Sequence, residues 1–357
     1  MARMLRHLVA ALLLSFPSLG LLAEEPLTAL SPLDRAVFQR DAQGMGAVPI
    51  ACPWTGDAKA VLEARVVDRQ TDAVVQDWAP VPTEAQGGRL QGRAALRAGW
   101  YRLELRVAVG AVRTPVAPVD HVGVGEVFVT CGQSNSANHG KPPQTATEDR
   151  VSAQDFQKGT WRHSVDPQPG ASGGGGSPWP LLGDHLVRRL QVPVGFICIG
   201  VGSTPVAAWI PGGKCAARLK AAVQLAGPQG LRAVLWHQGE SDAIAGTTAE
   251  EYAERLGTAI RRSREDAGWA IPWGVALASY VPNAKATPDR QEAVLAGQRQ
   301  VIATVPGVFQ GPATNDFHTR RMVADGVHFN GAGLAAHAAG WDTVLQAIIP
   351  SPVPRAP

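Results

Sequence analysis

Two textures of hydrophobic and polar positions divide the chain. From Glu24 to about Val122 the apolar residues come in short alternating runs, GAVPIACPW, AVLEARVVDR, AVVQDWAP and AGWYRLELRVAVG, separated by turn residues. In the last run Trp100, Arg102, Glu104 and Arg106 share one face, and Tyr101, Leu103, Leu105 and Val107 the other. Period-two alternation puts successive side chains on opposite faces of a strand, so this half predicts a small antiparallel β-sandwich. Trp54, Trp78, Trp100 and Tyr101 fit either its core and the domain interface or an aromatic platform for sugar.

After His121 the pattern changes. Five short, almost wholly apolar runs follow: EVFVTCG, VGFICIG, RAVLWHQG, WGVALASY and VFQGPAT. Between them lie helix-like stretches, PLLGDHLVRRL, CAARLKAAVQLA, AEEYAERLGTAIRRSRED and RQEAVLAGQRQVIATV. A last helix is expected from about Gly331 to Ile349, behind a capping residue at Asn330. Apolar strands alternating with amphipathic helices predict a parallel sheet covered on both faces. The expected class is therefore α/β: a flavodoxin-like three-layer domain with a five-stranded parallel sheet, preceded by the sandwich. Ligands of such sheets bind beyond the carboxyl ends of the strands. That rule gathers Gly132–Gln133–Ser134–Asn135, Gly200 to Thr204, Trp236 to Asp242 and Asp325 to Asn330 at one edge.

Composition narrows the function. A chain of 357 residues suggests about two domains. Its formal net charge of +3, with no run of five or six like charges, lacks the basic footprint of a nucleic-acid partner. With 39 glycines and 28 prolines, well above the usual combined share of about 12%, long loops are expected. The N-terminus, MARMLRHLVAALLLSFPSLGLLAEEP, has basic Arg3 and Arg6, an apolar Leu8–Phe16 segment and a break at Pro17. That is the layout of a signal peptide over residues 1–23. The stretch is shorter than the roughly 20 residues of a membrane span. The mature protein is expected to be secreted or periplasmic, without a span, and to carry a charge of about +1 once Arg3 and Arg6 are lost. The expected divisions are 24–120 for the sandwich, 121–351 for the α/β domain and 352–357 for a tail. Cys52, Cys131, Cys198 and Cys215 form no C-x-x-C pair, which argues against structural zinc. Cys131 and Cys198 end apolar runs and read as buried thiols.

The sheet edge holds the parts of a serine hydrolase: a hydroxyl nucleophile, a histidine base, an orienting carboxylate and donors for the oxyanion. Ser134 leaves the first strand of the α/β half. Asp325 precedes His328 by three residues, so one short loop presents both. Gly202 offers an unobstructed N–H, and Gln238 a side-chain amide.

Together, GQSN, the segment from Gly202 to Trp209, WHQGESD and DGVHFNGAG resemble the motif blocks of SGNH/GDSL hydrolases. They are most similar to the carbohydrate acetylesterase branch that includes sialate O-acetylesterases and acetyl xylan esterases. The resemblance covers about 230 residues, from His121 to near Pro350, with the blocks in the expected order. It implies Ser134 as nucleophile, His328 as general base and Asp325 as orienting carboxylate. It further implies an oxyanion hole of Ser134, Gly202 and Gln238, an acetylated carbohydrate as substrate, and no cofactor. Gly202–Ser203–Thr204 departs from the Gly–Gly–Thr common in that branch, which puts the backbone there in question. Gln133, Asn135, Glu240 and Trp209 are further candidates for substrate contact.

Other signals at this edge are weaker. Gly170–Ala171–Ser172–Gly173–Gly174 matches the G-x-S-x-G elbow but lacks the strand and helix that motif needs. It reads as a flexible loop, either a spacer or a mobile rim of the site, with Trp161, Arg162 and Trp209 available to a sugar, and Trp209 equally suited to packing. No metal is expected, because His237, His318 and His328 with Glu240 and Asp325 lack a ligand spacing. Two rival functions share these residues: a lipid or thioester hydrolase, and a non-catalytic carbohydrate-binding protein.

Overall fold

The alternating runs of the first half become strands. The structure, a computed structural model, describes residues 26–226, 230–320 and 322–349. The signal peptide expected over 1–23 and the tail over 352–357 lie outside the described residues. The strands are β1 (Ala36–Gln39), β2 (Met45–Pro53), β3 (Val61–Asp68), β4 (Val74–Val81), β5 (Thr83–Gln86), β6 (Arg89–Arg97), β7 (Gly99–Val109) and β8 (Val112–Gly132). β2, β6 and β5 form one antiparallel sheet. β4, β3, β7 and the start of β8 form another, with β1 parallel to β8. Both contribute to one apolar cluster, including Ile50, Leu62, Leu90, Leu103, Leu105 and Val122.

In β7 the side chains of Leu103, Leu105 and Val107 are buried while Arg102, Glu104 and Arg106 are partly exposed, as the alternation requires. Trp100 departs from it. It lies on the polar face yet is buried, because that end of β7 meets the second half of the chain, where its Nε1–H donates to Asp149 Oδ2 at 3.1 Å. Tyr101 is buried as well, so both residues serve packing rather than an exposed platform.

The second half is a mixed α/β assembly. It contains β9 (Val151–Gln154), β10 (Trp161–His163), α1 (Trp179–Leu190), β11 (Val194–Cys198), α2 (Ala216–Leu225), β12 (Ala233–His237), α3 (Glu240–Ala245), α4 (Ala249–Ala267), β13 (Trp273–Leu277), α5 (Pro288–Thr304), β14 (Val308–Ala313) and α6 (Gly331–Gln346). The sheet order is β10-β9-β11-β8-β12-β13-β14, parallel throughout except between β10 and β9. The five apolar runs lie side by side as β11-β8-β12-β13-β14. Five strands is nevertheless too few, because β9 and β10 extend the edge beyond β11.

Helix ends follow local chemistry. Thr248 and Glu251 make a capping box at the start of α4, which stops at left-handed Gly268. The Asn330 side chain accepts from the Gly333 N–H at the start of α6.

β8 is the spine of the molecule. Its side chains alternate between layers: Val127, Val129 and Cys131 join the cluster with Leu219, Leu256 and Val294 of α2, α4 and α5, while Phe128 joins Leu186 and Trp341 of α1 and α6. The same strand runs unbroken out of the N-terminal sheet, so the division expected at 120/121 falls inside a strand. Buried Glu126 is gripped there by Arg40 and Arg232, at 2.7 Å each. No helix among the described residues is long and apolar enough to cross a membrane. All four cysteines are buried free thiols.

Candidate active site

The end of β8 turns sharply. Gly132 has φ +124, and a Cβ there would lie 2.1 Å from the His237 carbonyl oxygen. Only glycine lets the turn close on β12, where Gln133 N–H donates to that oxygen at 3.0 Å. A single 3-10 turn, Ser134–Ser136, follows. Ser134 is 5% exposed, and its hydroxyl makes no hydrogen bond with any described residue.

Asp325 and His328 sit in the loop before α6. Asp325 Oδ2 lies 2.8 Å from His328 Nδ1, and Oδ1 accepts from the N–H groups of Val327 (3.1 Å) and His328 (2.8 Å). Burial alone would raise the Asp325 carboxyl. The hydrogen bonds from His328 and Val327 outweigh it and hold the group at about 2. A carboxylate ionised across this range fixes the imidazole with Nδ1–H toward the acid and Nε2 toward the site.

Asn135 joins the two loops. Its Nδ2 donates to Val327 O at 3.2 Å and to Glu240 Oε1 at 3.0 Å. The residue after the serine is thus fixed to the residue before the histidine. His328 Nε2, like the serine hydroxyl, has no partner among the described residues. The serine–histidine hydrogen bond is not formed in this structure, and such bonds often tighten only once substrate is bound.

Gln238, expected as an oxyanion donor, has its amide engaged by the protein. It is fully buried, and its Nε2 donates to Gln133 Oε1 (3.1 Å), Thr204 O (3.1 Å) and Asp242 Oδ2 (2.6 Å), while Oε1 accepts from Tyr252 at 2.9 Å. The amide ties together the loops after β8, β11 and β12. Asp242 completes that knot by accepting from Val206 N–H (2.8 Å) and Thr247 Oγ1 (2.9 Å). Burial pushes the Asp242 carboxyl up, against these hydrogen bonds.

Gln133, Asn135 and Glu240, expected as substrate contacts, are all buried members of the same scaffold. Asn135 Oδ1 and Glu240 Oε2 have no protein partner among the described residues. Both residues line a cavity of about 10 Å³ with His237 and Thr314, room for one water. For Trp209 the packing alternative is the one observed. The residue is 1% exposed, lies edge-on to Trp236 at 5.5 Å and donates to Thr204 Oγ1, so it is core.

The glycine-rich segment is braced rather than loose. Cβ atoms at Gly173, Gly175 and Gly176 would come within 2.4 Å of the carbonyl oxygens of Asn138, Gly140 and Pro142. These glycines let two backbones meet: Gly175 N–H donates to Asn138 O, and Gly140 and Gly176 exchange both backbone bonds. Asn138 binds the same segment through its side chain, donating to Gln168 O (3.0 Å) and Ala171 O (3.2 Å). Beside it lies a groove of about 400 Å³ lined by Lys158, Arg162, Gln168 and Gly173.

The motif after β11 shows what its departure from Gly–Gly–Thr does to the backbone. Ser203 has φ +55, the left-handed region that glycine adopts freely. The Gly202 N–H donates to Ser172 Oγ at 2.7 Å, and that oxygen lies 3.2 Å from His139 Nε2. The His139 ring stacks on His328, with centroids 5.3 Å apart and an interplanar angle of 27°. Burial, and then His328, push the His139 imidazole down, with Asp325 opposing. His139, Ser172 and Asp242 were not assigned roles from the sequence. His139 stands five residues after Ser134 and Asp242 lies within WHQGESD, whereas the glycines around Ser172 mimic a flexible loop. Among the described residues no group of three or more His, Cys, Asp or Glu is arranged to hold a metal ion.

With this geometry in place, comparison with known proteins gives consistent results. The profile of the family described as carbohydrate esterase, sialic acid-specific acetylesterase, matches residues 124–336. No curated protein matches the chain. A carbohydrate acetylesterase from Xanthomonas citri is 19% identical at a TM-score of 0.60, over 88% of this chain and 73% of that one. A protein from Arabidopsis thaliana is 18% identical at a TM-score of 0.53, over 63% of this chain and 99% of that one. At these identities the two structures speak for a shared fold.

Proposed function

The chain belongs to the carbohydrate esterase, sialic acid-specific acetylesterase family, and from that premise we propose that it removes O-acetyl groups from sugars through an acyl-enzyme on Ser134. The observation that carries this reading is the Asp325–His328 pair, 2.8 Å apart, in a loop bonded through Asn135 to the turn that bears a free serine hydroxyl. His328 Nε2 takes the Ser134 proton as Oγ attacks the acetyl carbonyl. The oxyanion is met by the Ser134 N–H and, on its other side, at the Gly202 loop. His328 protonates the leaving sugar oxygen, and water then repeats the sequence to release acetate.

Asp325, ionised and bonded to Nδ1, stabilises the imidazolium that forms in each transition state. The reading includes export to a secreted or periplasmic site after loss of residues 1–23, with the sandwich expected over 24–120 joined through β8 to the esterase part expected over 121–351. An O-acetylated sialic acid, the sugar in the family's description, is the substrate to try first.

Acetate release across a panel of O-acetylated glycans, with Ser134→Ala in parallel, tests the reading. The wild type is expected to release acetate and to be labelled by a fluorophosphonate, and the folded variant to do neither. Turnover retained by Ser134→Ala would remove that residue from the nucleophile role.

A further inference from the structure

In the resting structure the Gly202 N–H is already engaged by Ser172 Oγ. Ser172 is not a passing occupant. Its own N–H donates to Gly200 O, and its carbonyl accepts from Asn138 N–H, at 2.9 Å each. One of these partners lies in the loop after β11, the other just beyond the nucleophile turn. The backbone of Ser172 is thus fixed from both walls of the site, while Ser172, Gly202 and His139 all remain partly exposed.

His139 sits directly over the Gly202 peptide: a Cβ on Gly202 would come within 2.9 Å of its Nε2. That nitrogen lies 3.2 Å from Ser172 Oγ, and the ring rests on the imidazole of His328. Base, hydroxyl and peptide form one contiguous set.

A hydroxyl offers one proton and two lone pairs. The Gly202 N–H occupies one lone pair, and in the tautomer with its proton on Nε2 His139 occupies the other. The hydroxyl proton then has no acceptor among the described residues and is available to a ligand. Resting on the reading of Ser134 as nucleophile, we propose that the Ser172 hydroxyl is the donor that meets the acyl oxygen opposite the Ser134 N–H. Gly202 N–H polarises it from behind, since hydrogen bonds in a chain strengthen one another. His139 is a positioning residue that sets the direction of the proton. The glycine-rich segment thereby contributes a catalytic donor to the oxyanion site.

The test compares Ser172→Ala and the near-isosteric Ser172→Cys with the full-length wild type. It measures kcat, KM and melting temperature on one acetyl ester, with Ser134→Ala as the control. Loss of one oxyanion donor is expected to lower kcat by about 10²–10³ with little change in KM. The thiol, a weak donor, is expected to fall between serine and alanine, and it decides the matter if the alanine variant does not fold. His139→Gln, whose amide also donates, is expected to keep most of kcat. His139→Phe, a flat ring without a donor, is expected to lose about tenfold, or about 1.4 kcal/mol of barrier.

Wild-type or faster kcat in both Ser172 variants, with Ser134→Ala inactive, would overturn the inference alone and make Ser172 a mere plug on Gly202. Turnover by Ser134→Ala would overturn the reading beneath it.

Discussion

Replacing Gln238 by alanine separates a scaffold from a catalytic donor. The substitution removes an amide whose two N–H protons are shared among three acceptors, and one accepted bond, from a fully buried site. Most partners keep a second bond. Gln133 Oε1 still receives Ser241 N–H, Asp242 Oδ2 still receives Val206 N–H, and Tyr252 still reaches the residue's own carbonyl. Thr204 O does not. The loss is then one orphaned carbonyl, about 1–3 kcal/mol, and one charge-assisted bond, about 1.5–3 kcal/mol.

A destabilisation of about 4 kcal/mol follows, or a melting temperature lower by roughly 5 °C for a chain of 357 residues. Thermal melts and urea titrations read it directly. Steady-state kinetics well below the transition complete the test, with kcat expected to fall by no more than about tenfold, against 10²–10³ for a lost oxyanion donor. An unchanged melting temperature together with the larger fall in kcat would place the amide at the acyl oxygen and refute the scaffold role.

Two further outcomes concern stability. His237 and His337 are fully buried, and burial holds both imidazoles below their usual range, with His237 adding to the effect on His337. Above about pH 6.5 both states are neutral and the pair has no effect. Below it the unfolded chain binds protons that the fold refuses, and stability falls by about 1.4 kcal/mol per pH unit for each residue. Asp242, pushed up by burial, opposes this only near the carboxylate range. Urea midpoints at pH 7.5, 6.5 and 5.5 check the slope, and a flat profile would contradict it. Ser203→Gly is expected to raise stability by about 0.5–1 kcal/mol, because the left-handed backbone costs serine about 1–2 kcal/mol. A lower urea midpoint would show that the serine side chain outweighs that strain.

The central strands were legible because burial on both faces leaves an apolar run, as in VGFICIG, that little else explains. β9 and β10 were not, since four and three residues on a sheet edge carry too little pattern to read. The Asp325–His328 pair was legible because three residues of one loop suffice to place it. Gln238 and Trp209 were ambiguous for a shared reason. Their residue types suit both a site and a core, and only the partners from distant loops decide between them. Ser172 was hidden by its glycines, whose meaning depends on whether another backbone lies alongside. Here it does, and a segment rich in glycine is a wall.

The continuity of β8 bears on how such a chain can be rearranged. Val37 of β1 and Trp100 of β7 belong to the same apolar cluster as the helices behind the catalytic sheet, and Gln39, Arg40 and Glu126 are joined across the halves. A cut at residue 120 would sever the central strand and strip that cluster of two side chains. The esterase is therefore not a detachable cassette. Circular permutation, fusion or truncation is expected to be tolerated at loop tips far from β8, and the smallest portable unit contains both sheets.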